Sequence, residues 1–130
     1  MKEIVIFGTT AFAEVAYVYL TQDSPYRVAA FTVNQRYITS PSLMNIDVVP
    51  FERLPETHPP KQYAMLVAIG YSNLNRNRTR IYEQCKSLGY EMISYINSRV
   101  TQWGNVEIGD NVFILEENII QPFVRIGNNT

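Results

Sequence analysis

The sequence predicts an α/β fold: a small doubly wound parallel sheet over residues 1–96, followed over residues 97–130 by the first coils of a left-handed parallel β-helix. Three observations predict it. A β-branched run, Glu3 to Phe7 (EIVIF), ends at Gly8 and gives way to apolar residues at helical spacing. A second, almost continuously apolar run, Tyr63 to Ile69 (YAMLVAI), ends at Gly70 and is again followed by a helical pattern. From Val100 onward the chain divides into groups of six residues.

The first strand leads through a tight turn at Gly8 into a segment in which Ala11, Val15, Ala16, Val18, Tyr19 and Leu20 can share a helix. Asp23, Ser24 and Pro25 turn the chain into a second strand, Arg27 to Thr32, which completes an opening βαβ unit. Residues 33–62 contain Pro41, Pro50, Pro55, Pro59 and Pro60 and read as loops, interrupted only by the apolar stretch Ile46 to Phe51. The strand at Tyr63 to Ile69 belongs in the sheet centre, since only a strand covered on both faces is apolar at nearly every position. Beyond Gly70, Ser72 or Asn73 supplies a cap, Leu74, Ile81, Tyr82, Cys85 and Leu88 recur at helical spacing, and Gly89 ends the helix. Glu91 to Ile96 reads as the last strand of this Rossmann-like domain.

The tail divides as VTQWGN, VEIGDN, VFILEE, NIIQPF and VRIGNN, with Thr130 left over. Val100, Val106, Val112 and Val124 share one register, broken at Asn118, and Ile108, Ile114, Ile120 and Ile126 share another two residues later. A helix scatters a six-residue repeat. A left-handed β-helix requires one, because each coil has three six-residue faces and each face turns an aliphatic residue inward. Residues two apart share a face in any strand. The recurrence of IGDN as IGNN 18 residues on, one full coil, favours the β-helix over chance alternation. Gly109 and Gly127 then suit the corners.

A chain of 130 residues with 46% apolar content supports one compact core and a short appended element. A net charge of −1, from 11 basic and 12 acidic residues, offers no general attraction for nucleic acid or an anionic membrane, so any phosphate is bound locally. Cys85 is the lone cysteine; it excludes an internal disulfide and a cysteine-rich metal site, and it fits a reducing compartment. No metal site is expected. No apolar run reaches the length of a membrane span and residues 1–7 are too short for a signal peptide, so the cytoplasm is the default location.

In doubly wound sheets, ligands bind outside the carboxyl ends of the strands, where helix N-termini present free N–H groups. Two turns qualify: Gly8-Thr9-Thr10-Ala11-Phe12-Ala13, whose threonines add hydroxyl donors for a phosphate, and Gly70-Tyr71-Ser72-Asn73. Each glycine is equally well explained as a plain turn residue. NAD is disfavoured, because its fingerprint needs three glycines and a later acidic residue for the ribose. Here alanines fill the second and third places, and Val33-Asn34 follow the second strand. Arg76, Arg78 and Arg80 alternate along the second helix and read as a solvated face rather than a phosphate clamp. The only histidine, His58, lies in a proline-bounded loop and reads as an exposed residue, and Glu116 and Glu117 are adjacent and point to opposite faces of a strand.

A doubly wound domain carrying IVIFGTTAFAEV at 4–15, VVPFE at 48–52, LVAIGYSNLNRNRTRIYEQCKSLGY at 66–90 and SYINSRVTQWGNVEIGDNVFI at 94–114 resembles the sialic-acid O-acetyltransferase-like (NeuD/PglD) sugar acyltransferases of the hexapeptide-repeat superfamily. The likeness covers essentially the whole chain as the N-terminal part of such a protein. It implies a cytoplasmic homotrimer acting in surface polysaccharide or glycan biosynthesis, with a nucleotide sugar, a UDP-sugar by preference, in the α/β domain and acetyl-CoA between neighbouring β-helices. It implicates Gly8, Thr9, Thr10, Ala11, Phe12, Val33, Asn34, Gly70 and Tyr71 in substrate binding. The family's Gly-His-Gly is replaced by Ala11-Phe12-Ala13, and its acidic pair after the second strand by Val33-Asn34. The family's general base is a β-helix histidine, whose unperturbed pKa lies near the working pH. None is present in the tail, so the resemblance implies a catalytic histidine beyond Thr130 and a chain that binds the sugar nucleotide without turning it over or holding acetyl-CoA. The alternative is a non-catalytic nucleotide-sugar-binding or oligomerisation module.

Overall fold

Ile4, Val5, Ile6, Ala64, Met65, Leu66 and Val67 are all at most 1% exposed, which happens only when two adjacent strands are covered on both faces. The computed structural model describes residues 2–69, 76–96, 101–102, 107–109, 111–114, 119–120, 125–126 and 128. It places β1 (Glu3–Phe7) and β5 (Tyr63–Val67) side by side and parallel, Phe7 opposite Val67. Around them lie β2 (Val28–Val33), β3 (Ser42–Leu43), β4 (Ile46–Pro50) and β6 (Glu91–Met92), in the order β3-β4-β2-β1-β5-β6. All neighbours are parallel except β3 and β4.

The side chains of β1 and β5 alternate between two cores. Ile4, Ile6, Ala64 and Leu66 pack with Ala13, Ala16 and Leu20 of α1 (Ala11–Asp23) on one face. Val5, Phe7, Met65 and Val67 pack with Ile81, Tyr82 and Cys85 of α3 (Arg76–Ser87) on the other. Phe51 and Leu54 close the second core from a 3-10 turn (Phe51–Arg53) and the one-turn helix α2 (Leu54–Thr57), and Phe51 meets Phe7 edge to face at 5.0 Å.

The proline-rich stretch is more ordered than the sequence implies. Ile46–Pro50 forms a sheet strand beside β2, and Met44 and Asn45, with φ of 51° and 64°, turn it back on β3 in the left-handed conformation of a tight hairpin. Pro50 ends β4, where a missing N–H costs the ladder least.

The expected strand Glu91 to Ile96 is two strands. The ladder on β5 ends where Ile93 N–H donates to the Met65 carbonyl at 2.9 Å, and β7 (Tyr95–Ile96) leaves the sheet to pair elsewhere. Its partner is β10 (Phe113–Ile114). Likewise β8 (Thr101–Gln102) pairs with β11 (Ile119–Ile120), and β9 (Glu107–Ile108) with β12 (Arg125–Ile126). All three pairs are parallel, and Ile96 lies opposite Ile114 and Ile108 opposite Ile126, each 18 residues on. The isoleucine register of the sequence is therefore the register of strand pairing.

This unit is joined tightly to the sheet. Tyr95 is buried, donates its hydroxyl to Asp23 Oδ2 at 2.6 Å and packs on Tyr19. Ser94 Oγ donates to the Gly109 carbonyl at 2.7 Å and accepts from Val112 N–H at 2.9 Å. A Cβ on Gly109 would run into the backbone and side chain of Asn128, so the glycine lets two successive turns close on each other. Among the described residues no helix is long and apolar enough to cross a membrane.

Candidate functional site

The strand order reverses direction at β1: the chain builds outward through β2 and β4, then returns to place β5 on the other side. A crevice opens at the carboxyl ends of β1, β2 and β5 in such a sheet. Gly8 sits at its floor. Its N–H donates to the Thr32 carbonyl at 2.9 Å, and Ala68 N–H donates to the Phe7 carbonyl at 2.8 Å. Its φ is +131°, and a Cβ would lie 2.5 Å from the Ala68 carbonyl oxygen. Both the backbone angle and the approach of the neighbouring strand demand glycine here.

Thr10 follows as the N-cap of α1, and its side chain makes no capping hydrogen bond. Its hydroxyl stands at the turn beside the start of the helix, where the first N–H groups lack intrahelical acceptors. Together with Gly8, Thr9, Val33 and Asn34 it lines an open cleft of about 830 Å³. The sequence-derived candidates thus divide. Gly8, Thr9, Thr10, Val33 and Asn34 are brought to one cleft. Ala11 is exposed at the start of α1 and Phe12 packs on the α1 core, and neither is among the cleft's lining residues. Gly70 and Tyr71, and the proposed caps Ser72 and Asn73, lie outside the described residues.

Residues outside the sequence-derived candidates complete the walls, among them Arg80, which the sequence reading weighs as a phosphate ligand and assigns to a solvated face. Arg36, Tyr37 and Thr39 come from the segment after β2, and Ile69, Arg80 and Ile81 from β5's end and α3. The Arg36 guanidinium lies over the Tyr37 ring at 4.8 Å. Position was the available signal for Arg36: a residue three places beyond the end of a parallel strand stands at the crevice. Arg80 is exposed and faces the cleft, whereas Arg78 is 1% exposed and donates from Nη2 to the Asn111 carbonyl at 3.2 Å. The expected solvated arginine face is therefore corrected at Arg78; the Arg76 side chain lies outside what is described.

Glu52, the last residue of VVPFE, holds the loop that carries Arg36. Its Oε1 accepts from Gln35 N–H at 2.9 Å and its Oε2 from Asn34 Nδ2 at 3.3 Å. The Gln35 N–H foremost, and also Asn34 and the Arg36 charge, hold this carboxyl below its ordinary 4.5.

His58 lies at the opposite end of the sheet, by the amino ends of β1, β2 and β5. It is half-buried, its ring centroid 4.7 Å from that of Tyr63, the first residue of β5, and it borders a separate cavity of about 630 Å³ with Glu3, Tyr26 and Arg27. Burial pushes its pKa below 6.5. The length of the strands separates the imidazole from a ligand in the cleft. Among the described residues no three histidine, cysteine or acidic side chains gather to hold a metal ion.

No protein-family model matches the sequence, and no curated protein matches it. Solved structures do. The acetyltransferase domain of PglB from Neisseria gonorrhoeae, in complex with acetyl coenzyme A, superposes with a TM-score of 0.79 at 18% identity over 98% of this chain and 60% of that one. PerB from Caulobacter crescentus, in complex with CoA and GDP-perosamine, superposes with a TM-score of 0.81 at 23% identity over 98% of this chain and 58% of that one. A substituted form of perosamine N-acetyltransferase from the same organism, with the same two ligands, gives 0.84 at 22% identity over 99% and 59%. At these identities the likeness is one of fold. The chain has the architecture of the N-terminal part of these sugar acyltransferases and spans about three-fifths of their length.

Proposed function

We propose that this chain is the substrate-recognition part of an acyltransferase that moves an acetyl group from acetyl-CoA to the amine or hydroxyl of a nucleotide-linked sugar. Residues 1–96 hold the nucleotide sugar in the cleft at the end of β1, and residues 97–130 are the first coils of a left-handed β-helix. The observation that carries this reading is the junction of the two. A switch-point cleft with two arginines and a threonine-rich turn is followed at once by strands that pair at an 18-residue period.

Thr9 and Thr10 receive the diphosphate on backbone N–H groups and hydroxyls, beside Gly8, with Arg36 and Arg80 adding charge from the sides. Val33, Asn34 and Tyr37 border the nucleoside, and Gly70 and Tyr71 belong to the same site. Acetyl-CoA binds between β-helices of a homotrimer in the whole protein and supplies the activated thioester. A base near neutral pKa is needed to take the proton from the attacking sugar group. His58, the one histidine of the chain, stands at the wrong end of the strands for that task. The reaction accordingly belongs to coils beyond these, and this chain alone binds without turnover. Among the described residues the cleft offers no feature that prefers uracil to guanine, so UDP- and GDP-sugars are both first-line ligands.

Calorimetry of the chain against UDP- and GDP-linked amino sugars tests this. Saturable binding that weakens when Thr10→Val is introduced supports it; tight NADH binding with no response to any nucleotide sugar overturns it. An acetyl-CoA turnover assay on the same chain is expected to read zero.

A further inference from the structure

Two walls of the cleft are held from outside it by one residue. Asn111 lies in the tail of paired strands, between β9 and β10, and is fully buried, with φ of 52°. It is not among the cleft's lining residues. Its Oδ1 accepts from the backbone N–H of Val67, the last residue of β5, at 2.7 Å, and its carbonyl accepts from Nη2 of Arg78, in the first turn of α3, at 3.2 Å. Both bonds are buried. Cleft residues follow closely on each anchor: Ile69 comes just after Val67 in the chain, and Arg80 and Ile81 come just after Arg78 on the same helix. The floor is tied to the same strand end, because Ala68, next to Val67, donates its N–H to the Phe7 carbonyl and sets its own carbonyl against Gly8.

Resting on the reading of the cleft as a nucleotide-sugar site, we infer that Asn111 is a positioning residue of that site: by fixing the end of β5 and the first turn of α3, it makes the affinity of the cleft depend on the docking of the tail. A buried N–H that loses its acceptor must move or admit water, so removing the Asn111 Oδ1 shifts the end of β5 against the Gly8 turn. A guanidinium holds a phosphate in a directional, forked geometry, so a displaced helix start misaims Arg80. Coupling of this kind is reciprocal. A ligand that prefers the aligned cleft tightens the Asn111 contacts by the same free energy that those contacts contribute to its binding. Recognition of the nucleotide and docking of the tail are then a single linked equilibrium.

Calorimetry of the full chain with UDP, GDP and their amino-sugar conjugates compares the parent with Asn111→Gly and Leu20→Ala, at a temperature where circular dichroism shows each variant folded. The glycine keeps the left-handed backbone and loses the acceptor. Leu20 is fully buried in the core under α1, on the opposite face of the sheet from α3, and serves as a destabilising control away from the cleft. Asn111→Gly is expected to weaken binding about tenfold, while Leu20→Ala binds like the parent. In the parent, saturation with the same nucleotide should shift the side-chain amide resonances of Asn111, a readout that requires no variant to fold. Parent-like affinity in Asn111→Gly overturns the inference, as does an equal loss in Leu20→Ala or an Asn111 amide that does not respond, and each leaves the nucleotide site intact. Failure of every nucleotide to bind the parent overturns the functional reading together with the inference.

Discussion

The side-chain carbonyl of Asn111 accepts a hydrogen bond from the backbone N–H of Val67 at 2.7 Å, across 44 positions of sequence. β6 stops at Met92, so the ladder on β5 runs out before Val67, and Asn111 takes the place of the missing strand. The residue is fully buried and has φ of 52°, a conformation that asparagine tolerates better than most side chains. Its own carbonyl receives Arg78. One residue of the repeat therefore completes the sheet and receives the arginine of α3.

Replacing Asn111 with alanine strands the Val67 N–H in the interior and forces a Cβ residue without local compensation into the left-handed region. The expected loss is about 2–4 kcal/mol in urea unfolding. Asn111→Gly loses the same hydrogen bond but not the backbone freedom, and should be less costly than alanine. Equal stability of the alanine variant and the parent would count against the contact.

Gly8→Ala meets both a positive φ and the Ala68 carbonyl. Destabilisation of about 2–4 kcal/mol is expected, with loss of the cleft's binding, because the end of β5 must move away. Thermal denaturation with and without a nucleotide sugar measures both. Retention of full stability would show that the turn relaxes more easily than its packing indicates.

The Glu52 carboxyl is held below 4.5 by Gln35 N–H first. A depressed folded pKa means that the unfolded chain binds the proton more readily, so this contribution is complete above the unfolded pKa and is lost as pH falls through the folded value. Carbon-detected NMR titration should find the carboxyl titrating below 4.5, with the Gln35 amide shifting in step. In Glu52→Gln the amide shift should disappear. An ordinary Glu52 pKa, with no response at Gln35, contradicts the loop assignment.

Burial pushes the Cys85 thiol up to about 12, and the residue has no exposed surface. The native chain should be inert to a disulfide reagent at neutral pH and react at a rate set by opening of α3. Titration in urea should release one thiol per chain along the unfolding transition. Prompt reaction in the native state would place α3 outside the cooperative core.

Much of this architecture is legible in the residues alone. Continuous burial is written into Ala64 to Val67 and Ile4 to Phe7, and the 18-residue strand pairing into the isoleucine register. Other features are not local. The β3-β4 hairpin turns on Met44-Asn45, where methionine gives no hint of positive φ, so the segment reads as loop. Arg78 resembles its exposed neighbour Arg80 until the Asn111 carbonyl arrives from 33 positions away. Arg36 and Tyr37 gain meaning only once β2 is known to end at the crevice. Glycine at position 8 was legible as a turn, but the reason for it, the Ala68 carbonyl, required the neighbouring strand.

A stack of coils has two ends, and each exposes unpaired backbone unless something covers it. At the end where β7 begins, the polypeptide leaves the sheet after only Ile93 and Ser94, with Ser94 bonded to the Gly109 carbonyl and the Val112 N–H above it. On the proposed reading, the sheet domain plugs the stack as well as holding the ligand. The strand pairs start from a fixed template, and their phase is inherited from the place where β6 stops. Lengthening the Ile93-Ser94 step by a single residue would transmit a half-period error upward, exchanging inward and outward side chains in the turns that follow.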